Sequence, residues 1–160
     1  MKRIFLDSNI YDTFYTNPEL RNLFDSAKRL HQIDPVITHI NIDQINRMPT
    51  EKSFLRSSIL SLINTLTTIS TLGHIDQISR SGWSTPAPNG TLEKILGDQQ
   101  LTTSNLEDAL QAVTALKEDA LFITNDRRLR NRCNMQKSDS AMNESEFQSF
   151  LRSLVKVNPI

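Results

Sequence analysis

Two short apolar runs in this chain each end on an aspartate: Ile4-Phe5-Leu6 leads into Asp7-Ser8-Asn9, and residues 120–123 (Ala-Leu-Phe-Ile) lead into Thr124-Asn125-Asp126. A third aspartate, Asp108, precedes the second run within a helix-like segment. Carboxylates brought to one place repel each other and resist ionising together unless a cation offsets them, and oxygen donors select hard ions such as Mg2+ or Mn2+. An ion held in such a cluster polarises a phosphoryl group and acidifies water, the chemistry of phosphodiester hydrolysis. Asn9, Thr124 and Asn125 are the polar neighbours placed to support a ligand or a water. Taken singly, each aspartate also has a local explanation, because Asp caps helices and ends strands. Asp108 is the most ambiguous, since a first-turn acid complements a helix dipole and Glu107 beside it would serve equally.

For these groups to converge, the two runs must be strands of one open parallel sheet, in which ligands gather outside the carboxyl ends. Lys2–Leu6 stops abruptly at Asp7, as a strand buried on both faces does. Asn17-Pro18 predicts a helix start, followed by Leu20, Leu23, Phe24, Ala27 and Leu30 at helical spacing. Residues 35–38 predict the next strand, and residues 41–48 open a helix. Leu55, Ile59, Leu62, Ile63, Leu66 and Ile69 then repeat with helical period and predict one helix through the oily stretch 59–72. Residues 77–90, punctuated by Gly82, Pro86, Pro88, Asn89 and Gly90, predict a surface loop in which Trp83 anchors rather than stacks on a base. Ser104-x-x-Glu107 has the form of a capping box, opening a helix with Asp108 in its first turn and Leu106, Ala109, Leu110, Val113 and Leu116 on one side. After the strand at 120–123, residues 125–132 predict a short helix, and Asn143 caps a last one carrying Phe147, Phe150, Leu151 and Leu154. Strands alternating with helices predict an α/β fold with three layers, α/β/α, around a central parallel sheet.

With 160 residues the chain is sized for a single domain, 1–160, with a helical insertion and loop at about 50–100. The 18 basic and 18 acidic residues cancel, so any nucleic-acid binding must come from a local basic patch. Arg127, Arg128 and Arg130, with Arg132, form that patch directly after Asp126, although a solvated helix face explains them equally well. Cys133 is the lone cysteine and cannot pair within the chain, which fits a reducing cytoplasm. The first apolar run is far shorter than the ~7 to 15 residues of a signal-peptide core. Ser, Thr and Asn interrupt 59–72 before it reaches the ~18 apolar residues of a membrane span, so neither membrane nor export is expected. His31, His39 and His74 have no zinc-type spacing. The sequence contains no glycine-rich phosphate loop and no G-x-S-x-G elbow. Asn9, two residues after Asp7, departs from the D-x-D of haloacid dehalogenase-type phosphatases.

The ordered set Ile4-Phe5-Leu6-Asp7-Ser8-Asn9, then Asp108-Ala109-Leu110, then Phe122-Ile123-Thr124-Asn125-Asp126 with Arg127 to Leu129, resembles the PIN domain family over residues 2–155. The resemblance implies a parallel sheet between helices and an acidic pocket in which Asp7, Asp108 and Asp126 bind Mg2+ or Mn2+ and cut RNA. A small stand-alone chain of this kind resembles the VapC-type toxin half of a toxin–antitoxin pair, which implies an RNA substrate, a cognate antitoxin over the active site and a possible homodimer. One position departs from the pattern. The family has a Glu six residues beyond the Ser or Thr ending the second strand, and counting from Thr38 puts Gln44 there as the fourth catalytic position. An amide still offers an oxygen lone pair but brings no charge and cannot act as a base. Asp43 is no automatic substitute, since helical neighbours point about 100° apart. Three readings follow: an enzyme with reduced metal affinity, an inactive RNA-binding or scaffold protein that keeps the fold, or a Glu exchanged to silence a toxic enzyme.

Overall fold

The computed structural model describes residues 1–72, 84–85, 91–99 and 102–157. At its centre β1 (Lys2–Leu6) pairs in parallel with β2 (Ile33–Ile37) on one side and with β6 (Leu121–Ile123) on the other. Two-residue edge strands, β3 (Thr67–Thr68) beside β2 and β7 (Ala141–Met142) beside β6, complete an all-parallel sheet in the order β3-β2-β1-β6-β7. Chain order proceeds outward from β1 to β3 on one side and resumes at β6 on the other. The crevice between the ends of β1 and β6 is therefore the topological switch point, where open parallel sheets bind ligands.

Side chains alternate across the pleat and both faces are covered, which is why the strands read as continuous apolar runs rather than alternating ones. Ile4, Leu6, Leu121 and Ile123 point into one core with Leu20, Phe24, Ile59, Ile63, Phe147 and Leu151. These come from α2 (Pro18–Arg29), α4 (Ser53–Ile63) and α8 (Glu144–Val157). Phe5 and Phe122 point the other way, 5.8 Å apart between ring centroids, into a core with Ile95, Ala109, Val113, Leu129 and Cys133. Those residues belong to α5 (Thr91–Leu96), α6 (Thr103–Lys117) and α7 (Arg127–Gln136). The three layers expected from the alternation of elements are thus present. None of the helices among the described residues is long and apolar enough to cross a membrane.

Several boundaries differ from the sequence reading, each for a local reason. Asp7 is followed at once by a six-residue helix, α1 (Ser8–Thr13), where only a connection was expected. β2 starts at Ile33 rather than 35, and α3 (His39–Asn46) starts at His39 rather than 41, with Thr38 at its N-cap. After a 3-10 turn at Thr50–Lys52, α4 stops at Ile63, although the apolar period runs on to Leu66 and Ile69. The run beyond it is rich in β-branched residues, and Thr67 and Thr68 leave the helix to pair with Val36 and Ile37 as the sheet edge. Leu66 keeps its place in the core from the turn between them. Of the segment 50–100, the described residues of α4, β3 and α5 pack into the layers. Most of the loop expected at 77–90, Trp83 included, lies outside the described residues; within it β5 (Ser84–Thr85) pairs in parallel with β4 (Thr71–Leu72).

α6 is capped by Thr102, whose side chain accepts from Asn105 N–H at 3.2 Å, and not by Ser104. The shift of two residues puts Asp108 in the second helical turn and frees Glu107 for a partner outside the helix. Gly97, just past α5, has φ +58, and a Cβ there would meet the Arg132 guanidinium at 2.9 Å. That guanidinium caps α5 by donating to Leu96 O at 2.6 Å and to Ile95 O at 3.2 Å.

The C-terminal ends of β1 and β2 are fastened by one buried side chain, Asn41 in α3. Its Oδ1 accepts from Thr38 N–H at 3.0 Å, and its Nδ2 donates to Leu6 O at 3.3 Å and to Ser8 Oγ at 3.1 Å. Asn41→Ala strands these partners in the interior, and buried groups left unpaired cost about 1–3 kcal/mol each. Urea unfolding is expected to show a loss of at least about 2 kcal/mol with an unchanged m-value.

Candidate active site

The sheet delivers Asp7 and Thr124 side by side, because β1 and β6 are in register at Leu6 and Ile123. Asp7 N–H continues the ladder, donating to Ile123 O at 2.9 Å. Thr124, fully buried, donates its hydroxyl to Asp7 Oδ2 at 2.8 Å, and the same Oγ1 accepts from Asp126 N–H at 3.2 Å. One threonine therefore orients the carboxylate of the first strand and the backbone that carries the second aspartate. Burial raises the Asp7 pKa above its usual value; the bond from Thr124 and the nearby N–H groups of Ser8 and Asn9 oppose the rise, and the charge of Asp126 adds to it.

Asp7 opens into a cleft of about 420 Å³ whose walls include Ser8, Asn9, Gln44, Arg47, Glu107 and Asp108. The cleft lies between α3 and α6, and side chains bridge it. Gln44 Oε1 accepts from Ser8 Oγ at 2.5 Å and from Gln111 Nε2 at 2.9 Å. With its oxygen occupied by two donors, the Gln44 side chain gives a hydrogen bond to Asp108. One helical turn on, Arg47 Nη2 donates to both oxygens of Glu107, at 2.7 and 2.6 Å. Glu107 is only 5% exposed, and the pairing satisfies a carboxylate that burial would otherwise leave costly.

Asp108, like Asp7, is held above the usual carboxylate range. Burial first, and then the charges of Asp7, Asp126 and Glu107, push its pKa up to about 7, with only the Gln44 hydrogen bond acting downward. Carboxyl oxygens held close against their mutual repulsion are the donor set that a small hard dication relieves, so the residues fit Mg2+ or Mn2+ chemically. Ligand number is low. Among the described residues no three His, Cys, Asp or Glu side chains are placed to enclose an ion. So sparse a donor set would leave most of an ion's shell to water, as Mg2+ accepts when held by one or two carboxylates.

The structure brings together Asp7, Gln44 and Asp108, with Asn9 exposed on the cleft wall. Asp126 is not part of that wall: it is exposed at the N-cap of α7, where Oδ1 accepts from the N–H groups of Arg128 and Leu129 at 3.0 and 3.2 Å. Its charge reaches both Asp7 and Asp108. Asn125 Oδ1 accepts from Glu144 N–H at 3.0 Å and so helps to start α8. Arg127 and Arg128 are exposed, whereas Arg130 donates to Thr124 O at 2.9 Å and holds the turn after β6. Asp12 and Arg47 also line the cleft without having been singled out in the sequence, as do Ser104 and Glu107, which were expected there only as a capping box. Nothing in the sequence marks Arg47, whose partner Glu107 lies 60 residues away. Cys133 is buried, and burial pushes its thiol up to about 12, which favours the neutral thiol at neutral pH.

A scan against protein-family models finds no match for this chain, and a search of curated proteins finds none either.

Asp108 also makes stability depend on pH with a definite sign. Its pKa stands at 3.8 when unperturbed and about 7 in the folded chain, so the folded state holds a proton that the unfolded state has released. The associated stability is complete below the lower value and lost as pH rises through the upper one. Urea midpoints of the parent and Asp108→Asn are expected to converge below about pH 4 and to separate progressively up to about pH 8, the variant being the more stable there. Parallel profiles would show that Asp108 is not held in this environment.

Proposed function

We propose that the chain is a Mg2+- or Mn2+-dependent endoribonuclease of the PIN type, the toxin of a toxin–antitoxin pair. The observation that carries this reading is the placement of Asp7 and Asp108 in one cleft at the switch point of a parallel sheet, with Asp108 kept from ionising freely by its acidic neighbours. Asp7 and Asp108 would hold the ion, with Asp126 adding charge from beside the cleft. When bound, the ion supplies Lewis-acid polarisation of a phosphoryl oxygen and acidifies water. Thr124 keeps Asp7 oriented, and Ser8 and Gln111 keep the Gln44 amide turned toward Asp108. Arg127 and Arg128, exposed next to Asp126, are the candidates for contacts to RNA phosphates on either side of the cut. Arg130 drops out of that set because it is tied to the Thr124 carbonyl. A cognate antitoxin would act by covering the cleft.

Gln44 favours a second reading, a PIN-like RNA-binding or scaffold protein without catalysis. Its amide has partners for both its oxygen and its N–H, so a neutral residue is fully hydrogen-bonded at this position. The two readings differ in what the carboxylates do. Single-stranded RNA should be cleaved in Mg2+ or Mn2+ and spared in a chelator, with Asp7→Asn and Asp108→Asn each reducing cleavage at least about 100-fold. Gln44→Glu should lower the metal concentration needed for half-maximal cleavage, because it adds a charge beside Asp108. In cells, expression should arrest growth, and Asp7→Asn should abolish the arrest; arrest that survives this change belongs to the binding-only reading.

A further inference from the structure

The cleft wall contains the carboxylates Asp7, Asp12, Glu107 and Asp108, and Arg47 is the only cation among its described residues. A polyanionic strand entering such a cleft meets repulsion from every charged group except this one. Arg47 is also held in an unusual way. A structural Arg–carboxylate pair commonly uses two nitrogens in parallel, fork to fork. Here Nη2 alone serves both Glu107 oxygens, while Nε and Nη1 have no acceptor among the described residues. The Glu107 side chain is 7% accessible and that of Arg47 is 53% accessible, so the acid is the buried anchor and the guanidinium the presented group. Spacing completes the picture. Arg47, at the C-cap of α3, lies three residues beyond Gln44 and lines the same cleft as Asp108, its exposed side chain anchored on Glu107.

We infer that Arg47 is a substrate-positioning residue: Glu107 holds its guanidinium in the cleft, where Nη1 donates to a backbone phosphate of single-stranded RNA neighbouring the one to be cut. The assignment rests on the ribonuclease reading for the identity of the strand. It goes beyond that reading in naming a cation outside the α7 arginines and in giving Glu107 the task of orienting it. Arginine suits this role because its planar donors match phosphate oxygens and its charge does not titrate.

The test is binding of a short fluorescent single-stranded RNA in chelator, so that cleavage does not enter, followed over a series of salt concentrations. Arg47→Gln alone leaves Glu107 buried without its partner and risks misfolding. The double variant Arg47→Gln with Glu107→Gln removes both charges and keeps a hydrogen-bonding pair of similar size. Both variants are expected to weaken binding about fivefold to tenfold and to flatten the salt dependence by about 0.7 in log–log slope, the loss of one phosphate contact on a single strand. Arg47→Lys should keep most of the slope and lose part of the affinity. A double variant with the parent's affinity and slope would overturn the assignment and leave Arg47 as a counter-ion for Glu107, with the ribonuclease reading intact. A parent chain that neither binds this RNA in chelator nor cleaves it in Mn2+ would overturn both.

Discussion

Everything around the cleft answers one constraint: carboxylates of like charge are held together where two neighbouring parallel strands end. The sheet register forces Asp7 against Thr124 and leaves Asp126 two residues away, and α6 brings Asp108 with Glu107 to the same edge. Each acid has a different means of being tolerated. Asp7 accepts a hydrogen bond from the Thr124 hydroxyl, Asp126 accepts from two backbone N–H groups at a helix start, and Glu107 accepts from a guanidinium. Asp108 receives a hydrogen bond from a neutral amide, which does not offset its burial and the charges of Asp7, Asp126 and Glu107, so its pKa is displaced upward. An arrangement that spends folding free energy on crowding acids is the pattern of a site rather than of a core.

That crowding depends on rigid support. The strands are buried on both faces, and their alternating side chains lock the register, since a slip of one residue would exchange the two cores. Asn41 ties the end of β1 to the start of α3, and through Ser8 the same network reaches Gln44. The Gln44 position is thus specified from behind by groups that play no part in chemistry. Ser8 and Gln111 both donate, so they would accept a carboxylate oxygen as readily as an amide oxygen. Exchange of Gln for Glu here alters the charge facing Asp108 and removes the hydrogen bond that the amide gives it, while leaving the Ser8 and Gln111 contacts in place.

Long-period features were legible in the sequence. The runs ending at Asp7 and near Asp126, the Asn17-Pro18 helix start and the alternation of strand and helix carried the architecture, because they report burial and capping, which are local. Where a local signal had two outlets the structure took the other one. The apolar period through Ile69 continued past a helix that ended at Ile63, since sheet pairing outbid helical spacing for Thr67 and Thr68. The capping-box pattern at Ser104 was real as spacing, but Thr102 capped the helix and Glu107 paired with Arg47 across the cleft. Asn41, Arg47 and Gln111 act through partners 33 to 67 residues away, and one sequence contains no marker for contacts of that range.

The central claim is that Asp7 and Asp108 together form a divalent-ion site, and calorimetric titration of Mn2+ into the metal-free chain tests it most directly. The account predicts saturable binding that Asp7→Asn and Asp108→Asn each abolish, that Asp126→Asn weakens less, and that releases protons near neutral pH as Asp108 ionises. Mn2+ binding that Asp108→Asn leaves unchanged, or no binding to the folded parent chain at all, would contradict it.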